Sequence, residues 1–414
     1  MKLGPIHVIR DTTFQTLQSF QDLSQQFHAA LGTASQNGSL LAHQVWEHTH
    51  DLLHSPLCAR VASPVLPSPP STGDADDREA VERVVAAYQK TTADRPEPPS
   101  PSMWDRITRE KGEFLTALAA GDVPTAGRGL ANLFGSELIW GLGHFHADHI
   151  ALLKSPEPTH LHYRFSDSVV NLAEAVGAAR PTSAQQDMLT HFQPLNRDLD
   201  ALYAATATKL GFDLSFPDVG GRYGFSVGGQ VSAIDSLTHA YTAHRLRQLG
   251  AGPASTVYEI GGGYGCLALM ARRAGVGKYT IFDLPWVNAL QGYFLIRTLP
   301  TGTVRLYGET TGDLRVLPYW TLAAEPDKSC DGLVNTDSLP EMGRATAAGY
   351  LPQIRRVAKR FFLSINQEAK AVVSGAGEQN CVAELVDEAG GFATRSRQRH
   401  WMRQGYVEEV FEPV

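Results

Sequence analysis

The sequence lacks several features that would assign it to well-known classes of protein. Its four cysteines, Cys58, Cys266, Cys330 and Cys381, are widely scattered and include no Cys-x-x-Cys pair. This spacing argues against a disulfide framework and a zinc knuckle. No run of about 18 apolar residues occurs, and the N-terminal segment has no apolar core of signal-peptide length. We therefore expect a cytoplasmic protein that does not bind a membrane.

An excess of positive charge is also missing. The chain contains 43 Asp and Glu residues against 36 Lys and Arg residues, which gives a net charge of -7. This balance leaves no electrostatic footprint for nucleic acid, so we expect a small molecule as the substrate. What remains is an ordinary globular composition in a chain of 414 residues, which is long enough for two domains or more.

The N-terminal half is predicted to be mainly helical. Apolar residues at helical spacing predict helices over residues 11–58, 77–92 and most of 104–210, including the stretch 136–146. Two proline-rich segments interrupt this pattern, and they predict linkers or exposed loops. These segments lie near residues 63–77 and 95–102. We therefore predict a helical region over residues 1–224.

In the C-terminal half, short apolar runs alternate with helical patterns. Strands are predicted at TVYEIG, KYTIFDL, TVRLYG, DGLVNT, RFFLSIN, TRSRQRHWMR and YVEEVFE. Strands that alternate with helices are typical of a mostly parallel sheet covered on both faces. The last two runs are separated only by Gln404 and Gly405, which indicates a closing antiparallel hairpin. The sequence therefore predicts an α/β, Rossmann-like domain over residues 225–414.

The sharpest signal is a glycine-rich turn between a predicted strand and a predicted helix. The sequence VYEIGGGYGC at residues 257–266 leads into the helical pattern LALMARRAG. Glycines let the backbone approach a ligand closely, and a helix N-terminus presents free amide groups. Asp283 ends the next apolar run, 24 residues after Glu259. An acidic residue about 20 residues after such a turn can bind ribose hydroxyls.

The spacing within the turn favours a methyl donor over a dinucleotide. Glu259, Gly261, Gly263 and Gly265 form the pattern E-x-G-x-G-x-G, which differs from G-x-G-x-x-G. The acidic first residue suits the cationic amino group of a methionine moiety better than a pyrophosphate. A nicotinamide enzyme and a tight turn without a ligand are the two other interpretations.

These segments resemble known methyltransferases. VYEIGGGYGCLAL and FDLPWVNALQGYFL are similar to the glycine loop and the D-L-P-x-V segment of small-molecule O-methyltransferases. DGLVNTDSLPEM, FFLSINQEA and RQRHWMRQGYVEEVF resemble a bacterial family of sugar O-methyltransferases. The resemblance covers the chain from about Tyr223 to the C-terminus. It implies a class I fold that binds S-adenosylmethionine, with the helical region supplying the acceptor pocket and a homodimer contact.

The resemblance also implies roles for individual residues. The glycine loop and its first acid would hold the methionine part of the donor, Asp283 the ribose, and Leu284 the adenine. The segment after the fourth strand would close over the donor beside the acceptor. In chain order, these residues are Glu259, Gly261, Gly262, Gly263, Tyr264, Asp283, Leu284, Asn335, Thr336 and Asp337.

The acceptor determines which further residues the chemistry needs. The sulfonium donor is already activated, so the protein mainly aligns the reacting atoms. A sugar hydroxyl has a very high pKa, and its methylation calls for a general base or a metal. Asp337 follows a strand and is a candidate base; alternatively, it caps a helix that begins at Ser338 or Pro340. We expect Glu341 to be a solvated or structural carboxylate.

A histidine string in the helical region offers other candidates. His144, His146, Asp148 and His149 match the H-x-H-x-D-H string of metallo-β-lactamase-like hydrolases, but a helical pattern precedes them here. His144 or His146 could serve as the base, or as ligands of a single metal, from a lid over the acceptor. The remaining interpretation is that these histidines only form hydrogen bonds on a partly exposed helix.

These observations together predict an S-adenosylmethionine-dependent O-methyltransferase for a small natural-product scaffold, with a sugar hydroxyl as the acceptor. The same fold could methylate a phenol, a carboxylate, a nitrogen or a carbon. A non-catalytic partner subunit would have a damaged glycine loop or no ribose acid, and neither is seen. A metallohydrolase would bind zinc or iron at His144, His146 and His149.

Overall fold

The computed structural model describes residues 61–67, 75–96, 103–181, 198–373 and 377–414. The helix predicted over residues 11–58 lies outside these ranges, as does most of the loop predicted near 95–102. Within the described ranges, no helix is both long enough and apolar enough to cross a bilayer.

Helices make up most of the described part of the N-terminal region and also flank the main sheet. The α-helices of the described residues are α1 (Ala75–Asp94), α2 (Met103–Glu110), α3 (Gly112–Ala120), α4 (Val123–Ala131), α5 (Ala147–Leu153), α6 (His160–Ala175), α7 (Leu199–Leu210), α8 (Ile234–Gln248), α9 (Cys266–Arg273), α10 (Pro285–Thr298), α11 (Ser338–Glu341), α12 (Arg344–Val357) and α13 (Val382–Ala389). Short 3-10 turns occur at Leu133–Gly135, Glu137–Ile139 and Tyr319–Ala324.

The strands form one large sheet and two small ones. In chain order they are β1 (Ser63–Val65), β2 (Gly224–Val227), β3 (Gln230–Ser232), β4 (Thr256–Ile260), β5 (Lys278–Asp283), β6 (Val304–Leu306), β7 (Leu314–Pro318), β8 (Cys330–Thr336), β9 (Ala358–Gln367), β10 (Val372–Val373), β11 (Gly377–Glu378), β12 (Phe392–Arg399) and β13 (Tyr406–Pro413). The large sheet has the order β12-β13-β9-β8-β4-β5-β7-β6.

The direction of the strands in the large sheet confirms the predicted α/β fold. The six strands from β9 to β6 pair in parallel. β13 is antiparallel to both β9 and β12, and therefore closes the sheet with a hairpin. A mostly parallel sheet with this C-terminal hairpin is the Rossmann-like methyltransferase fold that the sequence predicts.

Both faces of the large sheet are covered by apolar side chains. Successive residues of a strand point to opposite faces, and β4 shows this directly. Val257 belongs to the larger hydrophobic cluster, whereas Tyr258 and Ile260 belong to the smaller one. The larger cluster also contains Phe134 and Phe294, whose ring centroids lie 6.0 Å apart. The core thus includes residues on both sides of residue 225. The domain boundary predicted at that residue stays a prediction.

The linker predicted near residues 63–77 is corrected at both ends. Ser63–Val65 forms β1, which pairs antiparallel with β2, and α1 already begins at Ala75. Proline is tolerated in strands at a sheet edge, where its missing N–H is not needed. Pro64 lies in such a position, because β1 is the edge of the small sheet β1-β2-β3.

Two further predictions are corrected near the site. The helix predicted over residues 136–146 does not form, because the short turn at Glu137–Ile139 is followed by Gly141 at a φ of 82°, where a helix cannot continue. His144 and His146 therefore lie in a connection before α5. The closing hairpin has a six-residue connection, His400–Gly405, rather than two residues, because β12 ends at Arg399.

Candidate functional site

A cavity of about 320 Å³ lies at the carboxyl edge of the large sheet. Its wall includes residues that follow β4, β5 and β8 as well as residues of the N-terminal region. β4 lies between β5 and β8, which is the point where the order of the strands reverses. Crevices at such points are the usual ligand sites of open α/β sheets. Most of the residues predicted from the sequence to bind the donor lie on this wall.

The glycine loop follows β4 and approaches two other segments closely. Gly261 has a φ of 71°, and a Cβ atom added there would overlap the Ser338 side chain. Gly263 has a φ of 53°, and its added Cβ would lie 2.5 Å from the Leu142 carbonyl oxygen. The loop therefore needs glycine both for its backbone conformation and for space. It forms a bare backbone cradle along the cavity wall.

Asp283 ends β5 and also lies on the cavity wall. Its Oδ2 accepts hydrogen bonds from the Gly262 amide at 2.8 Å and from Gln291 Nε2 at 2.7 Å. Its Oδ1 accepts one from the Leu284 amide at 2.7 Å. A carboxylate has about four acceptor positions, so one remains on Oδ1. Burial raises the pKa of Asp283 to about 6, although these hydrogen bonds act to lower it.

Glu259 lies behind the glycine loop, and it is not among the residues that line the cavity. Its carboxylate accepts a hydrogen bond from the Tyr279 hydroxyl at 3.0 Å. Burial raises the pKa of Glu259 to about 8, and the nearby Asp283 charge adds to this effect. In the structure this carboxyl group therefore supports the loop from beneath.

The segment after β8 divides between the cavity wall and the protein interior. Thr336 and Asp337 line the cavity, as do Leu284 and Tyr264. Asn335 does not, because its side-chain amide is buried and donates to the Ile260 carbonyl at 2.8 Å and to Ser338 Oγ at 2.6 Å. Asn335 thus fixes the end of β4 from below the wall.

Asp337 does not cap the helix that follows it. α11 begins at Ser338, but the Asp337 side chain makes no capping hydrogen bond. Its Oδ2 instead lies 2.5 Å from Nη1 of Arg403, which belongs to the connection of the C-terminal hairpin. Asp337 also has a φ of 66°, an unusual value for a residue other than glycine. The capping interpretation is therefore wrong, and Asp337 faces the cavity in an ion pair.

His144 forms a close pair with a carboxylate that the sequence analysis missed. Its Nδ1 lies 2.5 Å from Oδ1 of Asp235, near the start of α8. Asp235 Oδ2 accepts a hydrogen bond from the Tyr264 hydroxyl at 2.9 Å. Burial acts to raise the pKa of Asp235, but the His144 charge and hydrogen bond lower it to about 2. The pair thus joins an ionised carboxylate to a histidine ring, and both residues line the cavity.

The rest of the histidine string has structural contacts outside this cavity. His146 precedes α5, and its Nδ1 accepts a hydrogen bond from the Asp148 amide at 3.1 Å. Burial lowers the pKa of His149 to about 4, and the neighbouring His146 charge adds to this effect. Among the described residues, no three His, Cys, Asp or Glu side chains form a group that could hold a metal ion. The string therefore contributes His144 alone to the cavity.

Further ionisable groups line the same end of the cavity as Asp337. They include Glu341, His239 and His400, of which His239 comes from a segment without any recognisable motif. Burial, followed by the Asp337 charge, raises the pKa of Glu341 to about 8, and Trp104 donates a hydrogen bond to it. Burial, followed by the Arg403 charge, lowers the pKa of His400 to about 3. At neutral pH these groups are uncharged, and the buried, hydrogen-bonded Glu341 agrees with the structural rather than the solvated alternative expected from the sequence.

Comparison with solved structures shows a partial likeness of fold to methyltransferases. Magnesium protoporphyrin IX methyltransferase from Synechocystis PCC 6803, with bound SAH, is 16% identical with a TM-score of 0.32, over 43% of this chain and 84% of that chain. 1,6-Didemethyltoxoflavin-N1-methyltransferase from Burkholderia thailandensis is 17% identical with a TM-score of 0.31, over 42% of this chain and 78% of that chain. The glycopeptide N-methyltransferase MtfA with sinefungin is 14% identical with a TM-score of 0.34, over 42% of this chain and 93% of that chain. No protein-family model matches the chain, and no curated protein matches it.

Proposed function

We propose that this protein is an S-adenosylmethionine-dependent methyltransferase that methylates a hydroxyl group of a small molecule. One observation carries the proposal. The glycine loop and Asp283, which suit the donor, line the same cavity as the His144–Asp235 pair, which suits a general base. A cavity with the donor residues alone would bind the donor but would lack a group to take the proton of the acceptor.

The residues present fit the donor. The loop around Gly261 and Gly263 leaves backbone exposed where any side chain would collide, and Asp283 keeps one acceptor position for a ribose hydroxyl. A second ribose hydroxyl would have to replace one of its present donors, and Gln291 is the side chain among them. Leu284 would contact the adenine, and Thr336 and Asp337 would lie between donor and acceptor. Bound S-adenosylmethionine would supply an activated methyl group.

His144 is positioned to take the proton of the acceptor hydroxyl. A carboxylate beside one ring nitrogen fixes the tautomer, so that the other nitrogen is free to accept a proton. Asp235 holds Nδ1 in this way, which leaves Nε2 as the basic atom. As the acceptor oxygen formed its bond to the methyl group, the bond between that group and the donor sulfur would break and leave S-adenosylhomocysteine. The acceptor proton would pass to Nε2, and Asp235 would stabilise the imidazolium. Asp337 is less suited to this role, because its carboxylate is paired with Arg403.

For the acceptor, we propose a sugar hydroxyl of a natural-product scaffold. The acceptor end of the cavity carries several neutral or paired polar groups, among them Glu341, His239 and His400, which can donate and accept hydrogen bonds. Trp104 adds a large apolar face on the same wall. Several hydroxyl groups on a compact scaffold would match this mixture. The homodimer contact and the cytoplasmic location remain predictions.

The donor can be tested directly by titration calorimetry with S-adenosylmethionine and S-adenosylhomocysteine. We expect the Asp283→Ala variant to bind at least about tenfold more weakly than the wild type, or about 1.4 kcal/mol, because a hydrogen bond to a charged group is lost. Asp327→Ala is the matched control, since Asp327 is exposed and pairs with Arg356 outside the cavity. If well-folded wild-type protein bound neither compound, the proposed function would be wrong.

A further inference from the structure

We propose that Tyr264 is a positioning residue that connects the donor loop to the base, by holding Asp235 in the orientation that fixes the His144 ring. This proposal deepens the proposed function, on which it rests for the role of His144. Tyr264 belongs to the glycine loop, so the side chain that positions the base would come from the segment that receives the donor.

The contacts form a chain across three elements. The Tyr264 hydroxyl must donate to Asp235, because an ionised carboxylate only accepts hydrogen bonds, and it does so at Oδ2 over 2.9 Å. Oδ1 of the same carboxylate lies 2.5 Å from His144 Nδ1. The His144 amide donates to both oxygens, at 3.0 Å and 3.2 Å. Each oxygen of the Asp235 carboxylate thus contacts one side chain and also accepts a hydrogen bond from the His144 amide.

The loops that carry these side chains are packed with no spare room. A Cβ atom added at Gly143 would lie 2.5 Å from Asp235 Oδ2 and 2.9 Å from the Tyr264 ring. On the other side, the Leu142 carbonyl lies against Gly263 of the donor loop. A displacement of either loop would therefore change the contact between Tyr264 and Asp235.

Other titratable groups face this unit, but they do not replace the Tyr264 contact. His239 comes from α8, and burial lowers its pKa. His149 comes from α5 and is uncharged at neutral pH for the same reason. Cys266 comes from the start of α9, where burial raises the pKa of its thiol. The described hydrogen bonds that hold the Asp235 anion thus come from His144 and Tyr264.

Removing the Tyr264 hydroxyl should change the proton position on His144. The carboxylate is fully buried, so the loss of one donor leaves Oδ2 undersatisfied. Asp235 stays ionised but is held less firmly, so the hydrogen bond that it accepts from Nδ1 weakens. The neutral ring then populates its other tautomer, as Nδ1 releases a proton to water and Nε2 takes one from water, with no net gain of protons. In that tautomer Nε2 cannot accept the proton of a hydroxyl group facing the cavity.

The test is a long-range proton–nitrogen NMR spectrum of protein with nitrogen-15 histidine, recorded without donor near pH 7.5. The His144 signal is assigned by its absence in His144→Gln. In the wild type we expect a single tautomer with the proton on Nδ1. In Tyr264→Phe we expect the two ring-nitrogen frequencies to move toward each other, as the Nε2-protonated form becomes populated. Gly143→Ala, which presses on the same contact from the other side, should move them in the same direction.

The matched control is Tyr241→Phe, because Tyr241 is also buried and its hydroxyl donates to the buried carboxylate of Glu408 at 2.6 Å. A general effect of removing a buried hydroxyl would shift the His144 signal in this variant too, and would overturn the proposal. An unchanged His144 signal in folded Tyr264→Phe would overturn it as well. The readout needs no donor, so its failure is distinguishable from a failure of the wild type to bind S-adenosylhomocysteine.

Discussion

The end of the cavity that we propose for the donor and the end that we propose for the acceptor are built in different ways. At the donor end, carboxylates accept hydrogen bonds from neutral groups, as Asp283 does from backbone amides and Glu259 from Tyr279. At the acceptor end, carboxylates are paired with basic side chains, as Asp235 is with His144 and Asp337 with Arg403. The donor end also comes from neighbouring strand ends, whereas the acceptor end draws on α2, the connection before α5, α8, α11 and the C-terminal hairpin.

This difference separates binding from chemistry. A cradle of backbone amides and neutral donors is rigid and suits one fixed ligand, because its contacts involve no proton transfer to or from that ligand. An end composed of paired and titratable side chains can move protons, as the reaction requires. Changes at the acceptor end should therefore reduce methyl transfer, and changes at the donor end should reduce donor binding.

The largest effect is expected from His144→Ala. Loss of a general base should lower the rate of methyl transfer by about 100-fold to 10,000-fold. The affinity for S-adenosylhomocysteine should stay within about twofold of the wild-type value, which is well below a tenfold change, or about 1.4 kcal/mol. The rate is measured with an acceptor found by screening hydroxylated compounds for methyl transfer. His146→Ala is the control, because His146 is close in sequence but does not line the cavity. Equal losses in both variants would break the distinction between the two ends.

A smaller effect, at the donor end, is expected from Gly261→Ala. The new methyl group would overlap Ser338 and the residue would keep a φ of 71°, which together should lower the free energy of unfolding by about 2–4 kcal/mol. Donor binding should weaken at least about tenfold. Urea unfolding and calorimetry measure the two effects.

Gly349→Ala is the matched control for that change. Gly349 lies within α12 and has open space where its Cβ would be, so alanine there should be neutral or stabilising by up to about 1 kcal/mol. If Gly261→Ala were as well tolerated as this control, the loop would not be the tight cradle described here.

The smallest effect is a pH dependence of donor binding. Burial places the pKa of Asp283 near 6, above its ordinary value of 3.8. The ionised form accepts the ribose hydroxyl, so affinity should be full above this pKa and fall as the pH decreases through it. At pH 5 the loss should approach tenfold, because about a tenth of the carboxyl groups are then ionised. Calorimetry near pH 6 in buffers of different ionisation enthalpy should show proton release on binding, and Asp283→Ala should abolish it.

The sequence brought out most of the residues that line the proposed donor end, because their signal is local. The glycines and Asp283 fall within 25 residues, at or just after the ends of strands with clear apolar patterns. Glu259 and Asn335 were predicted with them but do not line the cavity, and donor binding itself stays a prediction. The acceptor end escaped this reasoning for the opposite reason. Asp235 is 91 residues from His144, His239 belongs to no motif, and the motif that contains Arg403 does not show that this side chain pairs with Asp337. Only folding brings these side chains together.

The role of Asp337 shows the same limit at a single position. Its place after β8 was evident from the sequence, but a base and a helix cap have the same local pattern. Arg403, 66 residues later, pairs with the carboxylate and thereby argues against both roles. Strands β1 and β7 were missed because each contains a proline, which ordinarily argues against a strand.

The hairpin connection His400–Gly405 has a consequence for how such a protein could diversify. It brings His400 and Arg403 to the cavity from the far end of the chain, yet β12 and β13 keep their register on either side of it. The entropy of closing a loop changes only slowly with its length. Under the proposed function, insertions and deletions at this connection would thus change the acceptor preference and leave the residues proposed to bind the donor in place.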